Sequence, residues 1–371
     1  MHRQDRENSM YCHAHTVLAR RNPARLVTFR RHPAALITVV LLAGAALVAQ
    51  PPQRAERVDV TRVLIDARVV DGGGQPVLGL EPADFEVKIG GHPVRVESAL
   101  WIGGEGPARG SVPSTPLAGV LVPEVRGRLI VLVVQKSLES VRTIGLLRLL
   151  QDGGRLLSRL TSDDRVAILS FDAHLKIWLD FTGDLDRVRT VLAEDVMFRE
   201  PAPIEPASGV SLVSRLSQDR GRETYTIEAA LRLLGNALEA LPGSKSVVLV
   251  GHGFGRFTTT LGMFGATLDR EYDAARAALL AARAAVFCLD VTDADYHTFE
   301  FGLQTVAGDT GGFFTRTHLF AQRAIDRVAN ALVGHYVLFT EKPDLDPGTH
   351  RVQLRLVRAR GTVFARSSYV N

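Results

Sequence analysis

Residues 128–140, RLIVLVVQKSLES, give the clearest indication of the fold. Six consecutive apolar residues, from Leu129 to Val134, are followed at once by Gln135 and Lys136. A continuous apolar run of this kind is typical of a strand that is covered on both faces, as in a parallel sheet. Apolar residues then recur with helical spacing over 138–160, at Val141, Ile144, Leu147 and Leu150. The stretch predicts a strand followed by a helix, with a polar junction between them.

The same alternation of strands and helices continues to residue 334. Further strands are predicted at 165–171, 175–181, 245–253 and 285–291, and further helices at 184–196, 222–241, 266–284, 298–312 and 318–335. The polar residues 196–222, with three prolines, form an insertion between them. Strands that alternate with helices imply a mainly parallel sheet with helices on both faces. We therefore predict a doubly wound α/β domain over 128–334.

Both ends of the chain outside this domain carry a different pattern. Residues 57–102 alternate apolar and polar side chains, with a hairpin turn at Gly90-Gly91, and residues 335–371 alternate again in three strands. These strands are expected to pair with one another in a small antiparallel β domain built from both chain ends. Residues 103–127, rich in Gly, Pro and Ser, are expected to be a linker.

The first 50 residues predict export. Residues 1–33 hold seven arginines against two acids, and the uncharged apolar run 34–49 follows. A basic segment before an apolar core is typical of a signal peptide, and an uncleaved N-terminal membrane anchor is the alternative. Either leader places the remainder outside the cytoplasm, in the periplasm, at the cell surface or secreted. Since the chain carries +4 and the first 33 residues alone carry +5, the remainder is near neutral, which argues against a nucleic acid partner.

Several sequence motifs of this chain resemble those of a known family. They include VVDGGGQPVLGLEPADFEV at 69–87, LTSDDRVAILSFDAHLKIWLDFTGDLDRV at 160–188, AGDTGGFF at 307–314 and VGHYVLF at 333–339. In order and spacing the chain resembles von Willebrand factor type A (VWA) domains, and is most similar to the bacterial VWFA-related family of exported proteins. The resemblance implies a divalent cation site at the top of the sheet, the metal-ion-dependent adhesion motif. Its pattern is Asp-x-Ser-x-Ser, then a Thr, then a later Asp.

Aligned with this pattern, the chain lacks both aspartates. Gln135 stands at the first Asp, Ser137 matches the first Ser, and Glu139 replaces the second Ser. Thr224 falls at the Thr position, with Thr226 as a close alternative, and His252 stands at the later Asp. Lys136 adds a positive charge, and only Glu139 returns a carboxylate. We therefore predict no cofactor and a degenerate metal motif, with Mg²⁺ binding possible only if Glu139 compensates.

Three interpretations of these residues remain open from the sequence. In the first, Glu139 rescues a metal site. In the second, all are structural: Ser137 caps helix 138–160, Glu139 suits its first turn, Thr224 caps helix 225–241, and His252 ends a strand. In the third, Lys136, His252 and a helix N-terminus bind an acidic group without a metal. We name the six positions of the predicted partner-binding site the rim: Gln135, Lys136, Ser137, Glu139, Thr224 and His252.

The sequence assembles no catalytic set, so we predict a protein that is not an enzyme. GHGFG at 251–255 lacks the nucleophile of a hydrolase elbow and the later glycine of a dinucleotide loop. DVTDADYH at 290–297 is interpreted as a solvated acidic loop, and Cys288 as a core residue. The predicted function is binding of a protein partner in the cell envelope. The alternatives are a hydrolytic or other enzyme that uses acids near the rim, and a purely structural envelope component.

Overall fold

The computed structural model describes residues 62–103, 127–260 and 263–371. The predicted leader at 1–50 and residues 104–126 of the predicted linker lie outside these ranges. Among the described residues, no helix is long and apolar enough to cross a membrane.

Along the chain, a first group of strands is followed by an α/β block and then by a second group of strands. The strands are β1 (Arg62–Val70), β2 (Phe85–Ile89), β3 (His92–Val94), β4 (Val96–Gly103), β5 (Leu129–Gln135), β6 (Arg165–Phe171), β7 (Leu175–Thr182), β8 (Lys245–Gly251), β9 (Arg256–Thr260), β10 (Met263–Thr267), β11 (Ala284–Asp290), β12 (Phe314–Arg316), β13 (Gly334–Glu341), β14 (Thr349–Leu356), β15 (Thr362–Ala365) and β16 (Ser368–Val370). The helices are α1 (Ser140–Gln151), α2 (Gly153–Leu156), α3 (Leu185–Thr190), α4 (Gln218–Arg222), α5 (Ile227–Glu239), α6 (Arg270–Ala281), α7 (Glu300–Thr310) and α8 (Ala321–Ala331).

A six-stranded sheet in the order β12-β11-β8-β5-β6-β7 forms the centre of the α/β block. Its pairs are parallel except for β6 with β7, which are antiparallel. All seven residues of β5 are buried, because Val131 and Val133 pack into the core on one face while Ile130 and Leu132 pack into the core on the other. The predicted doubly wound, mainly parallel sheet is confirmed.

The two chain ends build a β-sandwich from two four-stranded sheets, β15-β1-β13-β4 and β16-β14-β2-β3. Antiparallel pairs join β1 to β13 and β2 to β14, so strands from both ends of the chain lie side by side as predicted. Its core includes Ile65, Val87 and Tyr336, whose hydroxyl donates to the Val77 carbonyl oxygen at 3.0 Å. The domain boundaries at 57–102, 103–127, 128–334 and 335–371 stay predictions.

A largely buried polar cluster connects the sandwich to the amino ends of β8 and β11. Arg283 donates through Nε to Asp66 Oδ2 at 2.9 Å, and His335 Nε2 lies 3.5 Å from Asp66 Oδ1. Arg68 is 3% exposed and donates to Ser246 Oγ at 3.0 Å. Since each buried charge here has a partner from another element, the cluster fixes how the sandwich strands meet the sheet.

Two helix predictions differ from the structure. The sequence predicts a helix over 138–160 with a break or kink at Gly153-Gly154, two residues of low helix propensity; α1 indeed ends at Gln151, just before them, and the chain continues in the short helix α2. The helix predicted from 266 begins only at Arg270, with Asp269 as its N-cap accepting from the Glu271 amide at 2.9 Å.

The β9–β10 hairpin is absent from the predictions. Its first strand ends in three consecutive threonines, 258–260, whose branched side chains favour a strand. The last two residues of β10, 266 and 267, lie in the segment that the sequence predicts as a helix.

The predicted polar insertion at 196–222 contains the short helix α4 and is anchored on a buried acid. Asp180 of β7 accepts from the amides of Ala207 and Leu212 at 2.8 and 2.7 Å, and from Ser211 Oγ at 2.6 Å. A carboxylate with this many donors organises the surrounding loop.

Candidate binding site at the carboxyl edge of the sheet

Gln135, at the end of β5, uses both ends of its side-chain amide to hold the neighbouring loop. Its Nε2 donates to the Gly253 carbonyl oxygen at 3.0 Å, and its Oε1 accepts from the His252 amide at 3.0 Å. The side chain is 5% exposed, and a Cβ on Gly251 would lie 2.4 Å from that Oε1. The amide is therefore a bridge between β5 and the segment that leaves β8.

Lys136 directs its charge into the protein. Its Nζ donates to the Val196 carbonyl oxygen at 3.2 Å, lies 3.5 Å from Asp172 Oδ2, and stands 5.7 Å from the centre of the Trp178 ring. The side chain is 16% exposed. An internal carbonyl, a carboxylate and an aromatic face thus surround the ammonium group.

Ser137 and Glu139 lie where α1 begins, but Ser137 is not its cap. The helix starts at Ser140 with Glu139 at the N-cap position, and Ser137 Oγ accepts from the Glu139 amide at 3.2 Å. The predicted Ser137 cap is wrong because the turn before the helix is two residues longer than expected. The Glu139 carboxylate faces solvent, 61% exposed, and pairs with Arg142 at 3.0 Å.

Thr224 is buried beside β7 and does not cap a helix. Its Oγ1 accepts from the Leu175 amide at 3.0 Å and donates to the Gly221 carbonyl oxygen at 2.7 Å. Thr226 instead caps α5 and accepts from the Ala229 amide at 3.1 Å. Since β6 lies between β5 and β7, the Thr224 hydroxyl is bonded to a strand that is not adjacent to β5.

His252 is uncharged at neutral pH. Burial, together with the positive charge of Arg142, lowers its pKa to about 4, although hydrogen bonds with the backbone at Lys136 and His252 act in the opposite direction. Because Lys136 is also paired, the predicted capture of an acidic group by Lys136 and His252 lacks free cations.

No protein-family model and no curated protein matches this chain. Among the solved structures similar to it is a von Willebrand factor type A structure from Catenulispora acidiphila, 10% identical, covering 80% of this chain and 74% of that chain with a TM-score of 0.37. The vWF domain of the type V pili tip protein Mfa5 from Porphyromonas gingivalis is 12% identical, with 56% and 95% covered and a TM-score of 0.36. An aerotolerance-related membrane protein from Bacteroides fragilis is 12% identical, with 55% and 99% covered and a TM-score of 0.34.

The sheet itself has the architecture that the sequence motifs predict. It is doubly wound and mainly parallel, and β5 with its polar carboxyl end lies between β8 and β6. The chain has a von Willebrand factor type A-like fold. In this VWA-like domain, the position of the motif's first Asp is held by Gln135 at the carboxyl end of a central strand, where α/β sheets bind their ligands.

The donor set at the motif of the VWA-like domain does not fit Mg²⁺. A hard cation needs several free oxygen ligands and negative charge. The Gln135 oxygen is bonded to an amide, Glu139 is paired with Arg142, and His252 presents an imidazole, which is a poor ligand for Mg²⁺. The ammonium of Lys136 further opposes a cation.

Large apolar side chains within and just after the motif in the chain are exposed on the surface of the VWA-like domain. Leu138 is 104% exposed, and Val141 and Ile144 are 48% and 54% exposed. The sequence spacing predicts that Val141 and Ile144 share a buried face with Leu147 and Leu150. Of these four residues α1 buries only Leu150, and it also buries Leu146 and Leu149. Tyr296 is 68% exposed in the β11–α7 loop, which meets α1 where the Asp293 amide donates to the Val141 carbonyl oxygen at 3.2 Å. We name Leu138, Val141, Ile144 and Tyr296 the apolar set.

Cys288 and Asp172 also have clear environments. Cys288 is a free thiol buried in β11, where burial raises its pKa, so its prediction as a core residue is confirmed. Asp172 lies 3.0 Å from Lys176; burial would raise its pKa, but the hydrogen bond from Lys176 and the charges of both lysines hold the pKa below its usual value. A carboxylate stabilised in its charged form suits an ion pair rather than a general acid.

Proposed function

We propose that this chain is an exported VWA-like protein that binds a protein partner in the cell envelope through the rim, without a conventional metal site and without catalysis. Export is supported by the basic residues and the apolar run at 34–49 of the sequence. The near-neutral body supports a protein partner over a nucleic acid.

One observation carries this proposal: Leu138 lies fully exposed directly beside the motif. A leucine with its whole side chain in water gains nothing for folding, and neighbouring exposed Val141 and Ile144 extend the same apolar surface. Grouped exposed apolar side chains are typical of interaction sites. Glu139 adds a carboxylate at the border of this surface, where a polar group favours one orientation of the partner.

The six rim residues then have two roles. Gln135, Lys136, Thr224 and His252 hold the loops in place through the contacts described above. Ser137 and Glu139, with the apolar set, form the surface that the partner touches. Binding through this surface needs no cation, because apolar burial supplies the free energy.

Site-specific photo-crosslinking in intact cells tests the proposal. A photo-reactive amino acid at position 138 is expected to give a discrete crosslinked product. The matched control places it at Val357, which is 50% exposed after β14 in the sandwich, and no such product is expected there. In the position 138 background, Ile144→Asp should reduce the product severalfold, because it puts a charge into the apolar surface.

Equal products from both positions, or none from position 138, would contradict binding through this surface. Failure at both positions would favour the structural envelope component. Turnover of a substrate that Asp172→Asn abolishes, without loss of folding, would favour the enzyme alternative.

A further inference from the structure

A second polar cluster lies at the same edge of the sheet, one strand beyond β8. Asp290 is the last residue of β11 and is fully buried, and Glu300 is the first residue of α7 and 2% exposed. His297 lies between them in the connecting loop, with a side chain that is 15% exposed. The prediction of a solvated acidic loop at 290–297 is therefore wrong for Asp290, whose position at the strand end takes it into the interior.

These three side chains present ligand atoms to one another. The carboxylate oxygens of Asp290 and Glu300 and a ring nitrogen of His297 all lie within 4.8 Å of one another. His297 Nε2 is 2.8 Å from Asp290 Oδ2, and the Thr292 amide donates to Asp290 Oδ1 at 3.0 Å. Oδ1 of Asp290 is thereby fixed by the Thr292 amide, and Oδ2 points at the imidazole.

The guanidinium of Arg316 neutralises the charge of Glu300. Arg316 donates through Nε and Nη2 to the two carboxylate oxygens at 2.9 and 2.6 Å. The Arg316 side chain is 36% exposed, so it has a path to solvent, whereas Glu300 does not. Arg316 is thus an exchangeable counter-charge on a buried carboxylate.

Two further atoms near the cluster are unsatisfied. Thr292 Oγ1 and His297 Nδ1 are buried and have no hydrogen-bond partner among the described residues. Thr292 is 6% exposed and follows Asp290 by two residues. Buried polar atoms without partners cost free energy, and two in one loop indicate that a polar ligand such as a water or an ion belongs there.

We propose that Asp290, His297 and Glu300 form a binding site for a transition-metal ion of the Zn²⁺ class. One imidazole nitrogen with two carboxylates suits Zn²⁺ better than Mg²⁺ or Ca²⁺. On binding, the metal takes the place of the proton between Asp290 and His297, which leaves Nε2 either for Nδ1 of the same ring or for solvent, and Arg316 releases one oxygen of Glu300. Three protein ligands leave a fourth position for water or for a group from a partner. The site is separate from the degenerate motif and does not depend on the proposed partner binding.

Calorimetric titration of the EDTA-treated full chain with ZnCl₂ tests the site. Cys12, His13 and His15 of the leader can also take zinc, so all variants are made in a background with Cys12→Ser, His13→Gln and His15→Gln. We expect one Zn²⁺ per chain, with at least tenfold weaker binding in His297→Gln. His92→Gln, which removes an exposed histidine of β3, should leave the affinity unchanged.

Arg316→Gln separates a metal site from a purely internal ion pair. Because it removes the competing cation, it should tighten zinc binding by severalfold, the opposite of His297→Gln. Circular dichroism of each variant establishes that it is folded. No zinc binding, or binding that folded His297→Gln leaves unchanged, overturns the site. Weaker binding in folded Arg316→Gln overturns the exchange of Arg316 for the metal.

Discussion

Replacing Asp66 with Asn is expected to lower the free energy of unfolding by about 3 kcal/mol at pH 7, since breaking a largely buried ion pair, here with side chains 16% and 29% exposed, leaves the partner uncompensated. Asp66 receives a hydrogen bond from Arg283 at 2.9 Å and lies 3.5 Å from His335. The amide keeps the shape of the side chain but removes its charge. The loss falls where the sandwich meets the central sheet, so both parts are expected to unfold together.

The effect of Asp66→Asn should depend on pH. Burial raises the pKa of Asp66, but the hydrogen bond and charge of His335 and the charge of Arg283 outweigh it, so the folded pKa lies well below the unfolded value of about 3.9. For a carboxyl with a depressed folded pKa, the stabilisation is present above the unfolded pKa and is lost as the pH falls toward the folded pKa. The difference between wild type and variant should therefore be full at pH 7 and should shrink below about pH 4.

Urea unfolding at pH 7 and pH 3.5 measures both effects. Asp344→Asn makes the same chemical change at an exposed residue that follows β13, and it should change stability by less than about 0.5 kcal/mol. An Asp66→Asn variant as stable as this control at pH 7, or a difference that grows in acid, would show that the cluster is not held by the Asp66 charge.

Gly145→Ala is expected to destabilise the protein by about 3 kcal/mol, because overpacking forces the backbone to shift. In an exposed helix the same change would stabilise by about 1 kcal/mol. Gly145 lies in α1, where an added Cβ would be 2.0 Å from the carbonyl oxygen of Val291. That close approach is how α1 packs against the β11–α7 loop, so relief of the clash must move the surface that carries Leu138.

The matched control is Gly308→Ala in α7. Gly308 is exposed, and an added Cβ would meet nothing within 4 Å, so this variant should be slightly stabilised. Thermal unfolding of the two variants should thus give shifts of opposite sign. A Gly145→Ala variant that gains stability like Gly308→Ala would contradict the close packing of α1 on the loop.

The sheet could be predicted from the sequence because its signals are local. An apolar run such as 129–134 indicates that a strand forms and also that both faces of this strand are covered. The position of Gln135 follows from the same run, since the polar residue marks where the strand ends. Pairing between strands from the two ends of the chain could be predicted because apolar and polar side chains alternate in both regions.

The contacts of the site could not be predicted, because they come from residues far apart in the chain. Gln135 bonds to Gly253, and Lys136 to Val196. Helical spacing alone did not decide which face of α1 is buried: it allowed Val141 and Ile144, whereas the close approach at Gly145 rotates Leu146 and Leu149 inward. The acidic residues of the 290–297 segment likewise do not indicate, from the sequence alone, that Asp290 is buried whereas Asp295 is exposed.

Thermal unfolding of the EDTA-treated full chain, with and without excess Mg²⁺, tests most directly whether the Gln135 position holds the loop or a cation. A cation at 100 times its Kd would raise the free energy of unfolding by about 2.7 kcal/mol. We expect no upward shift with Mg²⁺, because the Gln135 amide is already bonded at both ends. A clear upward shift that Glu139→Ala abolishes would contradict this, and would mean that Glu139 has restored the metal site.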